Sequence, residues 1–348
     1  MTDDTGLRLA AGPLNAITDV PGIEVGHYTH ERVRRGITAV LCKEGAAAGV
    51  SVRGSNPGTF NTDALAATAT GSLVHGIGLT GGSVFGLGAT AGITEWLHGK
   101  GVGATYRGAL LPILAGAVIF DLALSDPSVY PTSEWGHRAA EAARTSRFAR
   151  GNVGVGAGAT AGKGPGCVRT KGGLGTASLL LPGGLVVGAI VVVNALGGLI
   201  HPIAGELYAS AGGFDTPLLY HHVDYEPATV EARVTTNTTL GVVATNAALT
   251  KPHLIKVADL AHDGLARAMR PSHAMRDGDT IFAIAPYEGQ IEPSRTTGAN
   301  LTDLVGAAAA DAMVLAILDA ARETAGIDGW PSVAEAQTAL AAKRDERR

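Results

Sequence analysis

The sequence predicts an α+β fold in which helices cover layers of paired strands. Three observations carry this. Short β-branched runs punctuated by Gly and Pro sit beside a few long helical patterns, a strict strand–helix–strand alternation is missing, and no short internal repeat marks a solenoid. The 348 residues are 46% apolar with 49 glycines, which gives enough core for one domain spanning 1–348 with many tight turns and close backbone contacts.

The first strands are read at Ile23–Val25, Thr38–Leu41 and Gly49–Val52, separated by Gly, Pro and charged residues. A further strand, Leu73–Leu79, ends in Thr80-Gly81-Gly82-Ser83, where Ser83 is placed to cap a helix running to about His98. Ala115–Phe120 is apolar again, Thr132 or Ser133 opens a helix near Glu134–Arg144, and Gly151–Gly166 reads as glycine-rich loop. Between Lys171 and Glu206 no Asp, Glu, Lys or Arg occurs. A membrane-crossing helix needs about 20 apolar residues, but glycines and Pro182 interrupt this stretch. It reads instead as strands Ala177–Leu181 and Leu185–Val193 joined by a Pro182-Gly183-Gly184 turn. Tyr220–Asn237 is polar and reads as an exposed, mobile segment that runs into a β-branched strand, Thr238–Asn246. After it come a helix with Pro252 in its first turn, the turn Asp277-Gly278-Asp279 before strand Thr280–Ala285, an Ala-rich helix at about Leu301–Ala325 capped by Asn300, and a terminal helix.

With 27 basic and 31 acidic residues there is no field to attract nucleic acid or an anionic membrane, so neither is an expected partner. Two cysteines, Cys42 and Cys167, and an acidic start without a signal pattern fit the cytoplasm. The glycine run at Gly154–Gly164 fails as a P-loop, because position 157 is Ala and Gly164 follows Lys163. As a dinucleotide fingerprint it follows a polar stretch, Arg144–Asn152, instead of a strand. The histidines show no converging ligand spacing, so neither metal nor other cofactor is expected.

The junction Thr235-Thr236-Asn237-Thr238-Thr239 is the sharper chemical signal. A Thr hydroxyl needs a base, and a Thr made N-terminal by cleavage carries its own, an α-amine titrating at about 7.7–8.0. Threonines also simply favour strands, and the residues alone leave both readings open.

Several motifs in order then resemble a known family. Asn15-Ala-Ile-Thr-Asp-Val-Pro-Gly22, Val25-Gly26-His27, Gly49-Val-Ser-Val-Arg-Gly54, Pro57-Gly58-Thr59, Thr62-Asp63 and Leu79-Thr-Gly-Gly-Ser-Val-Phe-Gly-Leu87 are similar to the D-aminopeptidase/esterase family of self-cleaving, N-terminal-nucleophile-like hydrolases, over about residues 14–320. Asn237-Thr238-Thr239, Val243-Ala-Thr-Asn246 and Asp277-Gly-Asp-Thr280 resemble its branch of 6-aminohexanoate-oligomer endohydrolases; the β-aminopeptidases of the family carry Ser at the junction.

The resemblance implies a four-layer αββα sandwich and cleavage between Asn237 and Thr238 into 1–237 and 238–348, with Thr238 as nucleophile. It implies Asp277 and Asp279 as carboxylates orienting the new amino terminus, Lys163 as an active-site lysine and Asn194 as oxyanion donor. Gly81, Gly82 and Ser83 correspond to the family's glycine-rich loop and are expected, with Phe120, to contact substrate. Each has an ordinary alternative: a loop lysine, a capped turn, a turn Asn before Gly197-Gly198. Val118-Ile119-Phe120-Asp121 departs from the branch, which has Tyr where Phe120 stands, so a hydroxyl is lost. The implied substrates are small peptides, amino-acid amides or linear amide oligomers, and the implied assembly is a homo-oligomer, a tetramer of cleaved heterodimers. Acyl transfer from the same acyl-Thr238, or a non-catalytic metabolite-binding scaffold, are the competing readings.

Overall fold

The computed structural model describes residues 10–71, 73–164, 167–200, 237–291, 301–327 and 329–345. The polar segment read at Tyr220–Asn237, apart from Asn237 itself, and Asn300 as a cap lie outside them.

Nine strands among the described residues form one hydrogen-bonded sheet: β1 (Glu24–Thr29), β2 (Gly36–Val52), β3 (Thr59–Phe60), β4 (Val74–Thr80), β5 (Leu114–Val118), β6 (Leu174–Leu180), β7 (Val186–Asn194), β8 (Thr238–Thr245) and β9 (Thr280–Pro286). Their order is β6-β7-β8-β9-β2-β4-β5-β3, with β1 on β2. The helices are α1 (Thr90–Gly99), α2 (Ser133–Glu141), α3 (Lys251–Ala268), α4 (Leu301–Glu323) and α5 (Val333–Asp345).

Strand β2 makes the sheet a sandwich. The sequence pattern reads it as two strands, Thr38–Leu41 and Gly49–Val52, separated by glycine and charged residues, among them Lys43, Glu44 and Gly45. These three form instead a bulge between Leu41 and Ala46, with Gly45 at φ +83°, and the strand continues through it. Before the bulge β2 pairs with β1 and β4; after it β2 pairs with β9, and Ala46 still stands opposite Val74 of β4. The two sheets expected from the resemblance are thus halves of one ladder, bent at this point.

Alternating side chains sort into three cores. Ile37, Ala39 and Leu41 face α1 and α2, packing with Ile93, Trp96, Leu97 and Trp135. Val40, Ala48, Ile77, Ile190, Val192, Leu240, Val242 and Phe282 fill the space between the sheet halves. Val187, Val191, Val243 and Ile281 pack outward on Leu254, Leu265, Met313 and Ile317 of α3 and α4. The result is four layers, αββα. By length and composition α4 could cross a membrane, but 72% of its apolar window is buried in the protein.

Two neighbouring pairs are parallel, β8 with β9 and β4 with β5, and each needs a crossover. Helices α3 and α1 supply them. The β6–β7 hairpin matches its expected turn, with Gly183 and Gly184 at φ +79° and +81°. Ser83 does not cap a helix. It sits at φ +54° with no side-chain capping bond, the chain makes a 3-10 segment Ser83–Ala89, and α1 begins only at Thr90.

Helix α4 crosses β6 at Gly175, where an added Cβ would lie 2.1 Å from Ala316 O and 2.3 Å from Ala320 N, both backbone atoms of the helix. Gly175→Ala therefore forces α4 off the sheet. A stability loss of about 1–3 kcal/mol by denaturant midpoint is expected. Gly99→Ala, where nothing lies within 4 Å, is expected to be neutral or mildly stabilising.

Candidate active site

The strand ends decide which residues meet. Because β8 and β9 are parallel, their first residues, Thr238 and Thr280, lie at the same edge, and antiparallel β7 and β2 bring their last residues there too. Asn194, the end of β7, is the register partner of Thr238. Asn237 bridges Asp277, just ahead of β9.

Thr238 is 4% exposed, and its hydroxyl donates to the carbonyl oxygen of the preceding Asn237. The same oxygen accepts the Gly278 N–H at 2.9 Å. A Cβ on Gly278 would lie 2.8 Å from Thr238 Oγ1 and 2.7 Å from Asn56 O, so only glycine permits this approach. The chain after β2 closes the site from the other side: Arg53 and Gly54 donate to Asp279 O, and Asn56 to Asp277 O.

The two carboxylates have different surroundings. Asp279 Oδ1 accepts the Thr239 N–H at 2.7 Å, and its Oδ2 accepts the His273 N–H and meets His273 Nδ1, both at 2.9 Å. Among the described residues, Asp277 accepts two long bonds, from Leu196 N and Ala274 N at 3.3 Å each. Burial, and then the charge of Asp279, push the Asp277 carboxyl up to about 7, against the pull of those N–H groups and Lys163.

Lys163 lies on a segment running beside Asn194–Gly197, held by bonds from Gly162 N to Gly197 O and Gly164 N to Leu196 O. Its ammonium donates to Asn194 Oδ1 at 3.0 Å and Asn194 O at 3.2 Å. Burial draws it down to about 7, opposed by Asp277. The Asn194 carboxamide is held on both sides: Oδ1 also accepts from Thr160 N and Oγ1, and Nδ2 donates to Phe120 O at 3.3 Å.

The structure therefore gathers Thr238, Asn237, Asp277, Asp279, Lys163 and Asn194 at one edge. Phe120 joins them through its backbone carbonyl. Gly81 and Gly82 are buried, and they serve Asp121: Gly82 N donates to Asp121 Oδ1, and a Cβ on Gly81 would lie 2.2 Å from Asp121 Oδ2. Asp121 is paired at 2.8 Å with Arg35, both side chains fully buried. Ser83 is part-exposed, its N–H on Ile119 O. Sequence reasoning missed Thr160, Arg35, Asp121, Gly278 as a backbone donor, and His273, which carried no spacing signal.

The description Peptidase family S58 matches residues 15–332. The chain belongs to this family. Among relatives of this S58 peptidase, an uncharacterized aminopeptidase of Mycobacterium leprae is 37% identical over 93% of the chain and 94% of that protein. A 6-aminohexanoate-oligomer endohydrolase of Kocuria sp. is 31% identical over 87% and 85%. In fold it is similar to a Burkholderia sp. beta-aminopeptidase, with a TM-score of 0.70 and 24% identity over 98% of both chains. A second likeness is the L-aminopeptidase D-Ala-esterase/amidase of Ochrobactrum anthropi, described as a variant of the Ntn hydrolase fold, with a TM-score of 0.70 and 22% identity over 97% and 96%. As an S58 peptidase the protein is an amide-bond hydrolase.

The raised Asp277 has a consequence for stability. The folded state holds its proton up to about pH 7, whereas the unfolded chain releases it near pH 4. Between those values the native state binds more protons, so this group removes stability as pH rises. Asp277→Asn abolishes that loss. Relative to wild type, the variant is expected to gain about 1 kcal/mol or more between pH 4 and pH 7 in denaturant titrations; a constant difference would contradict the assignment.

Proposed function

We propose that this S58 peptidase cleaves itself between Asn237 and Thr238, and that Thr238, then an amino terminus, is the nucleophile of an aminopeptidase or amidase. The observation that carries this is the Asn237 carbonyl, which receives both the Thr238 hydroxyl and the Gly278 N–H. The hydroxyl lies against the group it attacks, and the amide stands where negative charge develops on that oxygen.

In the first step Thr238 Oγ1 bonds to the Asn237 carbonyl carbon as its proton passes to a neighbouring base. Lys163 and Asp277, both drawn near neutrality, flank the junction and are suited to this transfer. The Asn237–Thr238 C–N bond then breaks, the nitrogen takes a proton, and an ester joins Asn237 to Thr238 Oγ1. Water hydrolyses it, leaving a carboxylate on Asn237 and a free amine on Thr238.

In the mature enzyme that amine takes the hydroxyl proton, and Oγ1 attacks the substrate amide carbonyl. Asn194 Nδ2 donates to the oxyanion, the leaving amine takes the proton, and water releases the acyl group. The substrates proposed are small peptides, amino-acid amides or linear amide oligomers; the relatives' names, an aminopeptidase and a 6-aminohexanoate-oligomer endohydrolase, support the first and the last. Phe120 has no hydroxyl, so its contribution is its carbonyl on Asn194 and its ring.

Purified protein is expected as fragments of 237 and 111 residues, roughly 24 and 11 kDa of the 35.1 kDa chain. The smaller should begin at Thr238 by Edman sequencing; any other start overturns the junction. Thr238→Ala should remain one chain and show no turnover. Since the proposed base is the Thr238 amine, extended chelation should leave the rate unchanged. Loss with EDTA and recovery with zinc or manganese would instead indicate a metal-activated water.

A further inference from the structure

One titratable cluster beside the site has no part in the mechanism so far. His273 lies in the loop ahead of Asp277 and gives Asp279 Oδ2 two contacts at 2.9 Å, from its backbone N–H and from ring Nδ1. A carboxylate oxygen only accepts, so Nδ1 carries the proton in this pair. The backbone adopts φ +56°, uncommon for a residue with a side chain, and that turn aims N–H and ring at one oxygen.

Behind it, on α3, stands His262, fully buried, with its ring edge-on to His273 at 4.7 Å between centroids. His262 Nε2 lies 3.0 Å from Ser51 O, which fixes the proton on Nε2. Burial holds His262 down to about 4, so it packs on His273 as a neutral ring. Among the described residues, the other charged groups acting on the pair are Asp279 on the loop side, itself beside Asp277, and Arg53 after β2, whose guanidinium is paired with Asp259.

Among the described residues, Asp279 thus receives three N–H contacts and Asp277 two long ones. We propose that His273 is a positioning residue that keeps the negative charge of the carboxylate pair on Asp279, leaving Asp277 as the member that gives and takes protons, with His262 bracing the His273 ring. Two carboxylates driven apart in this way divide the roles of charge and acid–base work. Asp279 then fixes the start of β8 through Thr239 N, one residue from the Thr238 amine. The inference rests on the proposed function for its catalytic meaning, although the charge distribution is measurable without it.

The test compares His273→Leu, His273→Asn and His273→Gln in the full-length protein. Asn places an amide nitrogen where Nδ1 stands and tolerates φ +56°, whereas Gln places one where Nε2 stands. Carboxyl 13C signals of the aspartates, followed against pH, report when the pair takes up its first proton. With Leu, that uptake should move about one pH unit higher, and kcat on a small amide should fall about tenfold with KM changed less than about twofold. Asn should restore both; Gln should not.

Equal behaviour of Asn and Gln, or an unmoved proton uptake with Leu, overturns the inference. If the Leu variant does not fold, the Asn and Gln pair decides alone. Should the wild type cleave neither itself nor any amide while the uptake still shifts with Leu and returns with Asn, the proposed function fails and the role of His273 stands.

Discussion

Everything at the site depends on the parallel pairing of β8 with β9. Parallel neighbours begin at the same edge, so Thr238 and the Asp277–Asp279 turn, about 40 residues apart in the chain, become adjacent without any bond specific to chemistry. Crossover helix α3 is the cost of that arrangement, and its apolar face supplies much of the outer core. The antiparallel neighbours then have no freedom: β7 must end, and β2 must end, where β8 and β9 begin. A one-residue slip of β8 against β7 would carry the Thr238 side chain to the other face of the sheet and away from Asn194.

Glycine makes that convergence close enough to act. An added Cβ at Gly54 would lie 2.2 Å from Asp279 N, and Gly278 has Thr238 Oγ1 and Asn56 O at its surface. With those approaches the junction is buried, and burial sets the electrostatics. Lys163 and Asp277 are drawn to about 7 from opposite directions by the same desolvation. A lysine and a carboxyl that both titrate near neutrality can exchange a proton at little cost, which neither could do in water. The same burial removes stability from the fold, so the site is a place where packing elsewhere must compensate.

Much of this was legible in the sequence where local chemistry and tertiary demand agree. The β6–β7 hairpin is one case, since a charge-free apolar stretch around Pro182-Gly183-Gly184 has few other uses. Thr238, Asp277, Asp279, Lys163 and Asn194 were named from motifs, but their motifs do not contain the register that sets Asn194 opposite Thr238. Strand β2 reads as two because glycine and charged residues, among them Lys43-Glu44-Gly45, interrupt its apolar run, whereas the ladder on both sides carries it through as a bulge. Ser83 had capping chemistry but the wrong backbone, with φ +54° set by the reversal after Gly82. His273 was invisible for a related reason: an isolated loop histidine has no period, and only its φ and the position of Asp279 give it a role.

The Asn194 carboxamide shows how the continuous chain prepares the proposed reaction. Its Oδ1 is held by Thr160 and Lys163, which fixes the amide plane, while Nδ2 points at the neutral carbonyl of Phe120 at 3.3 Å, a long bond. A developing oxyanion is a far better acceptor than a peptide carbonyl, because charge-assisted bonds are shorter and roughly twice as strong. The donor is therefore oriented in advance but weakly used, and its full interaction becomes available only as charge forms on the substrate oxygen. An interaction stronger in the transition state than in the ground state raises kcat and not merely affinity. On the proposed mechanism, with Phe120 in place of a hydroxyl-bearing residue, that difference at Asn194 is the side-chain contribution to oxyanion stabilisation among the described residues.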